Sequence, residues 1–102
     1  MTLKEGEKYR ITFEAVGSTD IPFEVCYNRD GEEKGLGAIY GLTATAEAQV
    51  VMYTTYVGRD THLVIQVALG NASVGNVFTI RNLKVERAGS VKPLTEAVYV
   101  FE

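Results

Sequence analysis

Cysteine, histidine and tryptophan are nearly missing from this chain of 102 residues, which has one cysteine (Cys26), one histidine (His62) and no tryptophan. A single cysteine excludes a disulfide within the chain. Because structural zinc sites take four ligands, drawn mainly from Cys and His, one residue of each type cannot complete such a site. We interpret Cys26 as a small strand residue, since a thiol nucleophile needs a nearby base.

Long apolar runs and a positive charge balance are also missing. No stretch approaches the roughly 20 apolar residues that a membrane-spanning helix needs, and the first six residues are polar, unlike a secretory signal peptide. The net charge is −3, whereas proteins that bind nucleic acids or anionic membranes usually present a basic face. We therefore expect one domain over residues 1–102 that binds neither nucleic acid nor membrane.

Alternation of apolar and polar residues dominates the chain and predicts strands. The clearest segments are 9–15, 21–28, 49–57, 62–69, 77–86 and 94–101. A charged loop is expected at 28–35 and another loop at 43–48, and the state of 37–42 is not defined by its pattern. The turn-rich segment 71–76 predicts either a hairpin or a sheet-to-sheet corner. This spacing, with no helix of useful length, predicts an all-β sandwich.

The phase of the alternation also predicts which residues face the partner sheet. The expected inter-sheet residues are Tyr9, Ile11, Phe13, Phe23, Val25, Tyr56, Ile65, Val67, Leu69, Phe78, Ile80 and Leu83.

Catalytic motifs are weak, and we expect no enzyme activity. Asp60 beside His62 could form two thirds of a hydrolase triad, but no Gly-flanked serine elbow accompanies them. Glu24 and Asp30 are the one carboxylate pair at a plausible position for glycoside hydrolysis, and solvated surface residues are the simpler interpretation.

Several core and turn residues recur at spacings found in a known family. The pattern Gly-x-x-Tyr-x-φ-x-Phe-x-Ala, in which φ is apolar, begins at Gly6, and Leu69-Gly70 and Ile80-Arg81-Asn82-Leu83 match two later strands. The matching stretches are GEKYRITFEAVGSTDIPFEVCYNRDG, AQVVMYTTYVG and HLVIQVALGNASVGNVFTIRNLKVE, over roughly residues 5–86. Together they resemble the carbohydrate-binding modules of families 4, 9, 16 and 22.

The resemblance implies a galactose-binding-like jelly roll that lacks the family's opening strands. It implies no metal site, because Arg81 stands where the family has an aspartate near its structural calcium. No other cofactor is implied. In these modules the ligand lies along the concave sheet, and the loop 28–35 is expected to contribute Arg29 and Lys34 to it. The ligand-binding residues transferred to this chain are Glu24, Asn28, Asp30, Tyr40, Tyr53 and Gln66.

These residue types suit sugar recognition, because an aromatic ring can stack on a sugar face while amides and carboxylates pair with hydroxyls. Half-buried tyrosines on a sandwich surface are the alternative interpretation. The expected partner is a polysaccharide or oligosaccharide, with soluble β-1,4-linked glucan or xylan the first choice. A secreted or cell-surface location, within a larger protein such as a glycoside hydrolase, goes with it.

A structural or assembly domain that mediates protein contacts is the alternative function. The run 94–101 follows a hinge-like joint at Gly89, Ser90 and Pro93. It is expected to cover the sheet edge that the missing opening strand would occupy. It would do so either within its own chain or by exchange with a second copy in a homodimer.

Overall fold

The computed structural model describes residues 2–70 and 73–90, and these residues form two antiparallel sheets without a helix. The strands are β1 (Thr2–Leu3), β2 (Glu7–Gly17), β3 (Ile21–Arg29), β4 (Glu32–Ala44), β5 (Gln49–Tyr56), β6 (Thr61–Leu69) and β7 (Phe78–Ser90). The predicted all-β sandwich is confirmed. The predicted strand at 94–101 lies outside the described residues.

One sheet has the strand order β1-β6-β3-β4, and the other has the order β5-β2-β7. Two contacts show how they face each other. The Tyr53 hydroxyl of β5 donates a 2.6 Å hydrogen bond to the Leu36 carbonyl of β4, and the Phe23 ring of β3 meets the Phe78 ring of β7 edge to face at 5.1 Å. In this arrangement β4 lies over β5. The strand orders then place β6 and β7 together on the opposite side of the sandwich. β6 and β7 belong to different sheets, so these two strands do not form a hairpin.

A two-residue turn joins β3 to β4. Asp30 and Gly31 have φ values of 49° and 85°, as a type I′ hairpin turn requires, and Arg29 pairs with Glu32 across it. The prediction of a charged loop at 28–35 was therefore wrong, because most of these residues belong to the two strands of this hairpin. Residues 37–42 continue β4, and the loop expected at 43–48 begins only after Ala44.

The core forms where the alternating apolar residues of β2 and β3 meet between the sheets. Ile11, Phe13, Val25 and Tyr27 are at most 1% exposed, and Tyr9 and Phe23 are also buried. Ile65, Val67 and Phe78 are partly buried against this cluster. All of these residues except Tyr27 were among the predicted inter-sheet residues, and Tyr27 continues the inner face of Phe23 and Val25 on β3.

Four expected core residues are exposed instead, for two different reasons. Tyr56 pairs with Lys8 on the outer face, so the predicted phase was wrong by one residue in β5. Leu69 pairs with buried Phe23 and Ile80 with buried Ala15, so both are on the inner face. Leu83 belongs to the β-bulge between Thr12 and Glu14, where Asn82 and Leu83 of β7 both fall opposite Phe13. Leu69, Ile80 and Leu83 are exposed because, among the described residues, no strand packs over them on the side of β6 and β7, which we call the open side.

Candidate functional site

The outer face of the four-stranded sheet carries most of the residues predicted to bind a ligand. On β3, Glu24, Cys26 and Asn28 alternate with the buried inner residues. Their partners on β6 are Ala68, Gln66 and Val64. We call the group Glu24, Asn28, Lys34, Tyr40 and Gln66 the polar face. Period-two alternation on two paired strands brings Glu24, Asn28 and Gln66 together, as predicted.

The Asn28 side chain on β3 forms hydrogen bonds to both neighbouring strands, β6 and β4. Its Nδ2 donates to Gln66 Oε1 at 3.2 Å, and its Oδ1 accepts from the Lys34 backbone N–H at 2.8 Å. Asn28 is only 9% exposed, while Gln66 is solvent-exposed. Within the described chain, no protein acceptor takes the Nε2 hydrogens of Gln66. Asn28 is thus a positioning residue, and Gln66 is the amide that can donate to a ligand.

Tyr40 and Lys34 form the opposite border of the polar face. The Tyr40 side chain is 57% exposed, and Lys34 Nζ lies 5.1 Å from the centroid of its ring. Interaction with the Tyr40 hydroxyl raises the pKa of Lys34, with smaller contributions from Cys26 and Glu24. Lys34 is therefore positively charged at neutral pH beside the Tyr40 ring. The sequence pattern predicted a loop at Lys34, whereas the structure has it on β4. The Asp-Gly pair at 30–31 is typical of a two-residue hairpin turn and would have predicted a strand after it.

A groove of about 300 Å³ opens beside Glu24. Its walls come from the ends of β3, β4 and β6, and the lining residues are Pro22, Phe23, Glu24, Gly41, Leu42, Ala68, Leu69 and Gly70. This volume is at the lower end of small-molecule sites, roughly 300–1,000 Å³. The sequence did not indicate the groove, because it depends on three strand ends meeting.

Cys26 lies on the same face but is 3% exposed. It is a free thiol between Ala38 of β4 and Gln66 of β6. This placement agrees with its interpretation as a small strand residue.

Asp30 lies in the β3–β4 turn and joins this turn to β6. Its Oδ2 accepts from the Thr61 hydroxyl at 2.8 Å, and its Oδ1 accepts from the His62 backbone N–H at 2.6 Å. Arg59 Nε lies 3.8 Å from Oδ2. The His62 hydrogen bond, then the Thr61 hydrogen bond, lowers the pKa of Asp30. Both carboxylate oxygens are engaged with the protein, which gives Asp30 a structural role.

Tyr53 lies between the two sheets, so the structure does not bring it together with the other predicted binding residues. Its ring stacks on Tyr27 with centroids 4.3 Å apart and an interplanar angle of 7°, and its hydroxyl bonds to the Leu36 carbonyl. Burial, with a contribution from Tyr53, raises the pKa of Tyr27 to about 12. Tyr27 therefore stays neutral at physiological pH, and both tyrosines belong to the packing of the sandwich.

Asp60 and His62 make separate contacts to the first residues of the chain. Asp60 Oδ1 accepts from the Glu5 backbone N–H at 2.8 Å, and Lys4 Nζ lies 3.5 Å from Oδ2. His62 Nδ1 is 3.3 Å from the Thr2 hydroxyl. His62 thus contacts β1 and Asp60 contacts the residues that follow β1, and the structure gives no contact between the two side chains.

Comparison with known proteins finds no family model and no curated protein that matches the chain. The resemblance to carbohydrate-binding modules therefore stays a prediction from the residue pattern. Over residues 2–70 and 73–90, no group of three His, Cys, Asp or Glu side chains is placed to hold a metal ion. In the same part of the chain, no helix has the length and apolar character to cross a membrane.

Proposed function

We propose that this chain is a non-catalytic carbohydrate-binding module with jelly-roll, galactose-binding-like topology. Its ligand would be a soluble β-1,4-linked glucan or xylan chain lying across the polar face. The observation that carries the proposal is the placement of Glu24, Tyr40 and Gln66 on one solvent-facing side of a sheet, beside the groove that Glu24 helps to line. A secreted or cell-surface parent protein, such as a glycoside hydrolase, would supply the context.

The three side chains offer complementary chemistry. The exposed Tyr40 ring can stack on the C–H face of a sugar. Gln66 can donate hydrogen bonds, and Glu24 can accept them from paired hydroxyls. Gln66 on β6 and Tyr40 on β4 flank β3 on either side. Two strand spacings therefore separate the Gln66 amide from the Tyr40 ring by about 10 Å across the sheet. An extended chain can contact all three, while a single small ligand in the groove would contact Glu24 alone among them.

The chain provides a matched control for the Tyr40 contact. Tyr40 and Tyr56 are 57% and 58% exposed, and a lysine ammonium lies 5.1 Å and 5.3 Å from their respective ring centroids. Tyr56, however, lies on β5 in the three-stranded sheet. Isothermal titration calorimetry with soluble β-1,4-glucan and xylan should show weak binding that Tyr40→Ala reduces about fivefold. Tyr56→Ala should leave it unchanged.

Gln66→Ala should also weaken binding, whereas Lys84→Ala, on β7 of the other sheet, should not. Absence of heat with every β-1,4-glycan would refute the proposal. Equal losses in the Tyr40 and Tyr56 variants would refute the assignment to the polar face.

A structural or assembly domain is the second candidate function. It is favoured by the open side, where Leu69, Ile80 and Leu83 leave apolar surface exposed along two sheet edges. Exposed strand edges with apolar side chains are typical sites of pairing with another chain.

A further inference from the structure

The groove beside Glu24 is a gap between two rows of side chains on the outer face of the four-stranded sheet. In one row, Glu24 of β3 pairs with Ala68 of β6. In the other, Pro22 of β3 pairs with Thr43 of β4, and its carbonyl accepts a 2.8 Å hydrogen bond from the Gly70 N–H. Side chains two residues apart on a strand share a face and lie about 7 Å apart. The backbone between the two rows therefore forms the floor of the groove.

Small residues keep this gap open on both strands that flank β3. Ala68 lies on β6, and Gly70 follows directly after it. On β4, Tyr40 and Gly41 both fall opposite Glu24 in a β-bulge. Gly41 has a φ of 75°, a conformation that favours glycine, and nothing lies within 4 Å of the position that its Cβ would take. The bulge thus leaves the groove without a side chain next to the exposed Tyr40 ring.

The lining determines which chemistry the groove accepts. Among the described residues that line it, Glu24 has the only charged side chain, while Pro22 and Leu42 contribute apolar surface. A carboxylate only accepts hydrogen bonds, so an occupant must donate to Glu24 and present C–H surface to the walls. A neutral sugar ring does both. A sugar with a carboxylate would place a like charge beside Glu24, which is unfavourable, and Lys34 is not among the lining residues.

We propose that the groove receives a neutral single-sugar branch of the β-1,4-linked chain, an inference that rests on the glycan-binding function proposed above. The main chain would cross Gln66, Glu24 and Tyr40, and the branch would extend past Glu24 toward Pro22. The volume of about 300 Å³, at the lower end of small-molecule sites, suits one ring rather than a second chain. Glu24 borders both the polar face and the groove, so its two oxygens can accept from hydroxyls of the main chain and of the branch.

Calorimetry with three matched oligosaccharides tests this preference. They share one β-1,4-linked glucan or xylan backbone, which is either unbranched, or carries one neutral pentose branch, or carries one glucuronic acid branch. The pentose-branched ligand should bind about fivefold tighter than the unbranched one, and the acid-branched ligand no tighter than the unbranched one. Equal binding of the unbranched and pentose-branched ligands would overturn the inference and leave glycan binding standing. Absence of heat with all three, on both backbones, would refute the proposed function and the inference with it.

Filling the groove should abolish the preference. Ala68→Leu places a larger side chain in the groove, and Ala88→Leu makes the same change at an exposed position on β7 of the other sheet. The affinities for the pentose-branched and unbranched ligands should come within about twofold of each other in Ala68→Leu, whereas Ala88→Leu should keep the full difference. A preference that survives in Ala68→Leu, or that is lost equally in both variants, would overturn the inference.

The charge of Glu24 is tested separately, so the inference stays falsifiable if Ala68→Leu fails to fold. Glu24→Gln keeps an acceptor oxygen and removes the negative charge. This variant should bind the acid-branched ligand about fivefold tighter than the unaltered chain does, while still preferring the pentose-branched ligand to the unbranched one. Unchanged rejection of the acidic branch in Glu24→Gln would show that Glu24 does not select the branch, which overturns the inference.

Discussion

The substitution Gly37→Ala should destabilise this protein far more than Gly41→Ala, although both glycines lie on β4 with positive φ. Their φ values are 120° and 75°, so alanine is strained at both positions. The surroundings differ. A Cβ at Gly37 would overlap the hydroxyl of Tyr53 and lie 2.9 Å from its Cζ, whereas nothing lies within 4 Å of a Cβ at Gly41.

Displacement of the Tyr53 side chain would break two contacts and therefore cost free energy. Its hydroxyl donates a 2.6 Å hydrogen bond to the Leu36 carbonyl, and its ring is stacked on the buried Tyr27. Backbone strain alone costs about 1–2 kcal/mol, which is our expectation for Gly41→Ala. At Gly37 the loss of one hydrogen bond adds about 1 kcal/mol, and overpacking adds about 1–3 kcal/mol. The expected total for Gly37→Ala is roughly 3–6 kcal/mol.

Urea denaturation monitored by circular dichroism measures the free energy of unfolding of the Gly37→Ala and Gly41→Ala variants. Their m-values should equal that of the unaltered chain if only the native state is affected. Tyr53→Phe gives a further check, because it removes the oxygen that a Cβ at position 37 would overlap. The double variant Gly37→Ala with Tyr53→Phe should therefore be at least about 1 kcal/mol more stable than the sum of the single effects predicts. Equal destabilisation by Gly37→Ala and Gly41→Ala would show that the Tyr53 contact does not constrain β4.

Two further predictions concern the core and the β3–β4 turn. Phe13 is 1% exposed at the centre of the sandwich, so Phe13→Ala should cost about 3–5 kcal/mol in the same denaturation assay; a loss below about 1 kcal/mol would contradict the inner-face assignment of β2. The lowered pKa of Asp30 means that its carboxylate stabilises the fold above its ordinary pKa of 3.8 and loses this effect as pH falls through the lower native value. The stability difference between the unaltered chain and Asp30→Asn should thus be constant near neutral pH and shrink in acid, and a difference that grows in acid would refute this role.

Period-two alternation was sufficient to predict the sandwich and the inner faces of β2 and β3, because burial on one side of a strand imposes that period directly on the sequence. The family resemblance, rather than the alternation, predicted that Glu24, Asn28 and Gln66 share one outer face, which the pairing of β3 with β6 requires. Alternation was not sufficient for β4, in which Gly35, Gly37 and Gly41 interrupt the pattern. There the Asp30-Gly31 turn was the better local signal for a strand.

Only the tertiary structure shows which contacts Asp30 and Tyr53 make. It also decides the exposure of Leu69, Ile80 and Leu83. Asp30 is held by hydrogen bonds from Thr61 and His62, and Tyr53 by a strand of the opposite sheet. Alternation states that a side chain faces inward, but it cannot state whether another strand lies opposite. The sequence by itself therefore determined the two faces of most strands, whereas the order of strands in each sheet decided which inward residues are buried.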